Sequence, residues 1–210
     1  MVIMKKIKSM LFAALACVGL VVPAVIAAPA QADGCGNGNW SVVIGGLAAS
    51  LDGGTWQTSS YLYGDERIEY NSANAIEGLD RLRFVMSVHR DVCPGDHIKI
   101  VAHSGGAGIA HQWIIENSWF PNANAILLAD PKMHEWPGGD GFSRELWWMG
   151  YPMAGNDDWF GDFPTLTVCN WNDHICRADS DWTGYLTGAH TVYITDADYY
   201  GDWEDGAFYF

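Results

Sequence analysis

The segment from residue 97 to residue 107, HIKIVAHSGGA, constrains the fold more than any other part of this chain. Its β-branched first half predicts a buried strand, and the glycines after Ser104 open a helical pattern. A strand that passes into a helix through a sharp turn, with a serine at its apex, has the geometry of a nucleophile elbow. Small residues are needed two positions before and after that serine, and Ala102 and Gly106 occupy them. The alternative is an ordinary glycine-rich loop that carries a solvated serine.

Strands and helices alternate along the rest of the chain. Strands are predicted at residues 40–47, 97–103, 125–129 and 166–169, with a weaker one at 61–70. Helices are predicted from Asn71 or Ser72 to about Arg90 and from Gly105 onward, and the tail as a weak helix or loop. The alternation predicts a three-layer α/β fold, in which a central, mostly parallel sheet has helices on both faces and chemistry collects at the carboxyl ends of its strands.

The first 32 residues have the features of an export signal. These features are Lys5, Lys6 and Lys8, an apolar run to about Ala28, and the small residues of Ala30-Gln31-Ala32. A transmembrane anchor and a lipid-modified Cys17 are the alternatives, but prolines interrupt the apolar run. We therefore expect cleavage near Ala32 and one exported domain at residues 33–210, extracellular or associated with the cell wall.

The charge of the chain limits its partners. All 25 acidic residues follow position 32, and three of the 11 basic residues precede it, so the mature net charge is 8 − 25 = −17. A surface of that sign repels phosphate backbones and anionic membranes, which argues against nucleic acid as a partner. No stretch after the signal is apolar and long enough to span a bilayer. We expect a monomer.

Four cysteines remain after the signal: Cys35, Cys93, Cys169 and Cys176. An even number in an exported protein predicts two disulfides, for which three connectivities are possible. The simplest local closure joins Cys169 to Cys176 and leaves Cys35 for Cys93. In the chain-entropy model the short and the long loop contribute about 2.5 and about 4 kcal/mol to stability, before strain is subtracted.

A serine nucleophile needs a base and an orienting acid, which follow it in the order Ser, Asp or Glu, His in this fold. His190 lies after the last strong strand, where a loop can return it to Ser104. Asp173 lies between Cys169 and Cys176, and a disulfide there would hold its carboxylate rigidly. The alternatives are a surface histidine and an ordinary turn aspartate. His103, next to the nucleophile, is expected to be structural.

Several motifs occur in a fixed order: Cys35 with Cys93-Pro94-Gly95, the turn at Ser104, Ala129-Asp130-Pro131 followed by Gly138-Gly139, the Cys169–Cys176 loop around Asp173, and Gly188-Ala189-His190. This ordered set resembles the cutinase family and the related hydrolase domain of mycobacterial PE-PPE proteins. The resemblance implies an α/β-hydrolase fold with two disulfides, a Ser104–Asp173–His190 triad and ester cleavage through an acyl-enzyme, with no metal or organic cofactor. The substrate it implies is an ester, lipid-like or derived from a cell wall.

Two backbone donors are expected to bind the oxyanion: the N–H of Gly105 and one from Gly45-Gly46-Leu47, assigned to Leu47. Cutinases commonly carry a hydroxyl residue at the position of Leu47, and leucine offers only its N–H. This departure and Ala102 motivate a second hypothesis, a non-catalytic binding protein on a degenerate hydrolase scaffold. A third is an acyltransferase that uses the same triad.

Two further features have open interpretations. The tryptophan-rich stretch at residues 132–164 is either a cover over the active site or a satellite core beneath a long loop. The acidic residues Asp196, Asp198, Asp202, Glu204 and Asp205 are expected to form a solvated tail, since their spacing fits no EF-hand loop.

Overall fold

Six parallel strands form one sheet. The structure is a computed structural model, and it describes residue 35 and residues 38–46, 58–134, 140–157 and 159–210. The strands are β1 (Asn39–Ile44), β2 (Glu66–Ile68), β3 (His97–His103), β4 (Ala123–Leu128), β5 (Thr165–Cys169) and β6 (Gly206–Tyr209). Their order across the sheet is β2-β1-β3-β4-β5-β6. The predicted parallel α/β sheet is confirmed.

Two long helices cover one face of the sheet. They are α1 (Ala75–Val92) and α2 (Gly105–Glu116), which pack against each other. Every second strand residue points to this face, as the pleat requires. The sheet contributes Val42, Ile44, Ile98, Ile100, Ala125 and Leu127 to this core, and the helices contribute Leu79, Leu82, Met86, Ile109 and Trp113.

The opposite face is covered by shorter elements. The alternate strand residues Val43, Val101, Ile126, Leu128 and Val168 pack there against Leu62, Tyr193, Ala197 and Tyr200. The covering segments include the 3₁₀ helices Ala189–Thr191 and Ala197–Tyr199, and the five-residue helix α3 (Trp182–Leu186) precedes them. The fold is therefore a three-layer α/β sandwich, with long helices on one side and single turns on the other.

Three sequence predictions need correction. The helix α1 is capped by Asn74, whose side chain accepts from the Glu77 N–H, and not by Asn71 or Ser72. The weak strand predicted at 61–70 is limited to Glu66–Ile68, and just before it Asp65 accepts two hydrogen bonds from Ser41 of β1. The tail ends in a strand, β6, that pairs with β5.

Both predicted disulfides are present. Cys35 is bonded to Cys93, with 5.3 Å between the Cα atoms, and Cys169 is bonded to Cys176, with 5.9 Å. Residues Asp33–Phe210 form one compact unit. Within the described residues, no helix combines the length and the apolar character that crossing a bilayer requires. The expected signal at 1–32, Leu47 and Gly138-Gly139 lie outside the described residues.

Candidate active site

The carboxyl ends of β1 and β3 form the centre of the candidate site. These strands are neighbours, but the chain moves outward from β1 to β2 before it returns to β3, so the strand order reverses between them. Ligands of open α/β sheets bind at such reversal points, where two successive connections leave on opposite sides. Here the reversal brings Gly45 and Gly46, which follow β1, next to Ser104, which follows β3.

Ser104 has the backbone conformation of a sharp elbow. Its φ of 59° and ψ of −129° are unusual for a residue with a side chain, and strain of this kind is concentrated at functional sites. The turn also needs space around it. A Cβ on Gly106 would lie 2.3 Å from the Ile44 carbonyl oxygen, and one on Gly46 would lie 2.6 Å from the Ser104 Cβ. The glycines therefore let helix α2 begin directly against the end of β1.

The structure brings the three predicted triad residues together. The Ser104 Oγ lies 2.9 Å from the His190 Nε2. On the other side of the ring, the His190 Nδ1 lies 2.9 Å from one Asp173 carboxylate oxygen and 3.1 Å from the other. Exposure is 8% for Ser104, 3% for His190 and 0% for Asp173. The arrangement is a chain from serine to imidazole to carboxylate that is closed to bulk water except at the hydroxyl.

Asp173 is fixed by the loop that the Cys169–Cys176 disulfide closes. Its carboxylate accepts hydrogen bonds from the Ile175 N–H at 3.0 Å and from the Tyr193 hydroxyl at 2.6 Å, in addition to His190. Burial alone would raise the pKa of Asp173, but the hydrogen bonds from His190, Tyr193 and the Ile175 N–H outweigh it, so the pKa lies below the usual range. The carboxylate is ionised and can only accept.

This protonation state determines the tautomer of His190. An ionised Asp173 requires the imidazole proton on Nδ1, and the neutral ring then presents the Nε2 lone pair to the Ser104 hydroxyl. That is the state in which a histidine can remove the proton of a serine.

The predicted oxyanion donors are only partly defined. The Gly105 N–H opens helix α2, and the first N–H groups of a helix have no carbonyl partner within it. The N–H of Gly45 donates to the Ser59 Oγ at 2.9 Å, and that of Gly46 donates to the Tyr61 hydroxyl at 3.1 Å. Both loop amides are therefore used within the protein, and the second donor stays a prediction for Leu47.

Sequence patterns missed two tyrosines at this site. Tyr193 binds the triad acid, and Tyr61 binds Gly46 and also lies 2.7 Å from the His103 Nδ1. Tyr193 lies three residues after His190, which is the one sequence signal that could have found it. Tyr61 comes from a segment 42 residues before His103. Nothing in the sequence connects the two.

Aromatic side chains extend from the triad histidine. The Tyr185 ring lies 4.8 Å from the His190 ring, and Trp182 lies 5.4 Å from Tyr185. Leu186 and Val192, on either side of His190, are exposed. Aromatic rings of α3 therefore lie beside His190.

The tryptophan-rich stretch divides between core and surface. Met153 and Phe163 are buried in the core beneath α2, and Trp147, Trp148 and Trp159 are exposed. Among the described residues of this stretch, some side chains therefore join the main core and these three indole rings lie at the surface.

The acidic residues of the tail have individual partners. Asp196 caps the helix Ala197–Tyr199, Asp202 pairs with Lys99 at 3.0 Å, and Asp205 accepts from the Thr165 N–H. Among the described residues, the one cluster with the spacing of metal ligands is Cys35, Cys93 and Asp96, in which both sulfurs belong to a disulfide.

Comparisons with known proteins do not assign this chain to a family. No family model matches this chain, and no curated protein matches it. A protein described as a YdeN-like hydrolase from Pectobacterium atrosepticum is 18% identical, with a TM-score of 0.43, and 80% of this chain and 78% of that chain are covered.

Two further solved structures are similar at the same level. A cutinase-like protein from Cryptococcus sp. is 14% identical over 67% of this chain and 78% of its own, with a TM-score of 0.45. An α/β serine hydrolase without a lid from Xanthomonas campestris is 12% identical over 85% and 74%, with a TM-score of 0.39. The α/β-hydrolase arrangement follows from this chain's own strand order and serine turn.

Proposed function

We propose that this protein is a serine hydrolase that cleaves carboxylic esters through an acyl-enzyme. One observation carries the proposal. The Ser104 Oγ, the His190 ring and the Asp173 carboxylate are in hydrogen-bond contact in the order that nucleophilic catalysis needs. The strained turn at Ser104 supports it, because a strained backbone persists only where the surroundings enforce it.

In the first half-reaction, the Ser104 Oγ attacks the ester carbonyl carbon while its proton passes to the His190 Nε2. Asp173 stabilises the imidazolium that forms and keeps the ring oriented. The carbonyl oxygen becomes an oxyanion beside the Gly105 N–H, with the Leu47 N–H as the expected second donor. Collapse of this intermediate transfers the His190 proton to the leaving alcohol and leaves the acyl group on Ser104.

In the second half-reaction, His190 removes a proton from water, which attacks the acyl carbonyl. Collapse of this intermediate breaks the bond between the acyl carbon and the Ser104 Oγ, returns the proton from His190 to Ser104 and releases the acid. An alcohol in place of water would give acyl transfer by the same steps. The Tyr185 ring, which lies 4.8 Å from the His190 ring, favours an apolar or ring-bearing group on one side of the ester. We propose a lipid, a polyester or an acylated glycan as the substrate.

Export is part of this proposal. The two disulfides support it, because such bonds persist in oxidising compartments and are rare in the cytosol. The proposed location is outside the cell, either free or associated with the cell wall. A strongly acidic mature chain suits an uncharged ester better than an anionic substrate.

The Ser104→Ala variant tests the proposed function. We expect the mature protein to hydrolyse short- and medium-chain p-nitrophenyl esters and to react with a fluorophosphonate probe. The variant should lose both ester hydrolysis and labelling by the probe, and its kcat should be lower by on the order of 10⁴-fold or more. A His190→Ala variant should lose labelling to a similar extent, since serine and base act as a unit.

A wild-type protein that neither hydrolyses the esters nor reacts with the probe would contradict the proposal and favour a binding protein on a hydrolase scaffold. Labelling that survives in Ser104→Ala would show that another residue is the nucleophile. Adding a primary alcohol to the assay distinguishes the acceptors, because an acyltransferase forms a new ester at the expense of the free acid.

A further inference from the structure

Three hydrogen bonds join the loop after β1 to the segment that carries the triad histidine. The Gly46 N–H lies 3.1 Å from the Tyr61 hydroxyl, and that hydroxyl lies 2.7 Å from the His103 Nδ1. The His103 Nε2 lies 3.0 Å from the carbonyl oxygen of His190. Because His103 immediately precedes Ser104, this chain of bonds runs beside the proposed nucleophile, from the loop at Gly46 to the backbone of His190.

The hydrogen bonds in this chain run in one direction. A peptide carbonyl can only accept, so the His103 Nε2 carries a proton and donates to His190. Burial, reinforced by the charge of His190, lowers the pKa of His103 to about 3, so the ring is neutral and its Nδ1 must accept from Tyr61. Burial raises the pKa of Tyr61 to about 12, so Tyr61 keeps its proton and its oxygen is free to accept from Gly46.

The packing around His103 leaves the ring little freedom. It is 4% exposed on the sheet face opposite α1 and α2. Its ring centre lies 4.6 Å from that of His190, 5.4 Å from that of Tyr193 and 5.5 Å from that of Tyr61. A neutral ring held in one tautomer can fix the positions of its two hydrogen-bond partners, but it takes no part in proton transfer with Ser104.

We propose that His103 and Tyr61 are positioning residues, which hold the loop at Gly46 and the backbone of His190 in a fixed relation across the nucleophile. The proposal rests on the proposed function. The oxyanion forms on one side of Ser104 and the proton leaves on the other, so the two sides must be aligned at the same moment. An offset of about 1 Å in such an alignment can cost on the order of 100-fold in rate.

Loss of these hydrogen bonds should weaken stabilisation of the transition state and leave substrate binding unchanged. Gly46 adjoins the expected oxyanion donors, and these are needed most when the carbonyl oxygen becomes charged. Loss of the Tyr61 hydroxyl leaves the Gly46 N–H without its acceptor and the His103 Nδ1 without its donor, while the aromatic ring stays in place. The loop at Gly46 then has no hydrogen bond to its neighbour at Tyr61.

The test is the Tyr61→Phe variant, with Tyr200→Phe as its matched control. Tyr200 is also mostly buried, and its hydroxyl donates to the Ile194 carbonyl at 2.8 Å, outside the chain of bonds described above. For Tyr61→Phe we expect kcat on a p-nitrophenyl ester to fall about tenfold or more, with KM within about twofold of wild type. The Ki of a trifluoromethyl ketone, whose adduct carries an oxyanion, should rise by the same factor as kcat/KM falls. Tyr200→Phe should leave all three constants near wild type.

A measurement without turnover tests the bonds themselves. Nitrogen-15 NMR of histidine-labelled protein should show His103 as the neutral Nε2–H tautomer from about pH 5 to pH 8. The His103 Nδ1 signal should move in Tyr61→Phe and stay in Tyr200→Phe. Titration of His103 in this pH range, or an Nδ1–H tautomer, would overturn the proposal.

The kinetic outcomes separate this proposal from the proposed function. If the wild type is active and the Tyr61→Phe variant has an unchanged kcat, or differs from the wild type only in KM, the positioning role alone is overturned. An inactive wild type that the fluorophosphonate does not label contradicts the proposed function, and the positioning role falls with it.

Discussion

Asp173 shows how single residues set the chemistry of the site. It is fully buried, yet its pKa is low, because it receives hydrogen bonds from His190, from Tyr193 and from a backbone N–H. A carboxylate with so many donors stabilises the folded state only while it is ionised. The stability it provides is present above the ordinary aspartate range and is lost as the pH falls through its lowered pKa.

The Tyr193→Phe variant tests this dependence. Removing the hydroxyl should raise the pKa of Asp173 towards its ordinary value of 3.8 and reduce the stabilisation. The difference in the free energy of unfolding between wild type and variant should be largest near neutral pH. It should shrink as the pH falls below about 4 and vanish below the lowered pKa of Asp173 in the wild type, where the carboxyl is protonated in both proteins.

Urea unfolding at a series of pH values from 7 to 2 measures this difference. Tyr200→Phe is again the control, because its hydroxyl bonds to a peptide carbonyl that does not titrate. A difference for Tyr193→Phe that stays constant across the series would mean that the hydroxyl does not act through Asp173.

Among the structural elements, the two disulfides have different positions relative to the site. Cys169–Cys176 closes the loop that holds Asp173, whereas Cys35–Cys93 joins the segment before β1 to the end of α1. Both restrict the unfolded chain, but only the first restricts a proposed catalytic residue. Their removal should therefore affect stability and activity in different ratios.

Replacing both cysteines of one disulfide by serine tests this distinction. Without Cys35–Cys93 we expect a loss of up to about 4 kcal/mol in stability, and kcat near wild type below the melting transition. Without Cys169–Cys176 we expect a smaller loss of about 2.5 kcal/mol, together with a clear fall in kcat. Equal kcat values for the two variants would show that the loop holds Asp173 without its disulfide.

The elements also show what the sequence can and cannot predict. Strands β3, β4 and β5 follow from short apolar runs, since nearly all of their residues are buried, and the two long helices follow from apolar residues at helical spacing. The strand β6 does not, since three of its four residues are exposed and only its pairing with β5 makes it a strand. The contact of Ser104, His190 and Asp173 was predictable from chain order and from loop chemistry around Asp173. The contact of Tyr61 with His103 depends on tertiary packing alone.

At the scale of the whole molecule, the proposed removal of the amino-terminal segment would make the protein more acidic. Removal of residues 1–32 takes away three lysines and no acidic residue, which changes the formal net charge from −14 to −17. Synthesis of the full chain in an exporting host should yield an extracellular protein that begins at Asp33. Amino-terminal sequencing and intact mass measure this directly, and an exported protein that retains Met1 would refute cleavage at Ala32.

The distance along the chain between nucleophile and base has a consequence for biosynthesis. Ser104 and His190 are 86 residues apart, and the strand and helix that shape the serine turn are both made well before the base. A growing chain emerges amino end first, so Ser104 is an ordinary alcohol until the segment with Asp173 and His190 has folded onto the sheet. If the proposed function holds, Ser104 becomes reactive only when the segment with Asp173 and His190 has packed onto the second face of the sheet.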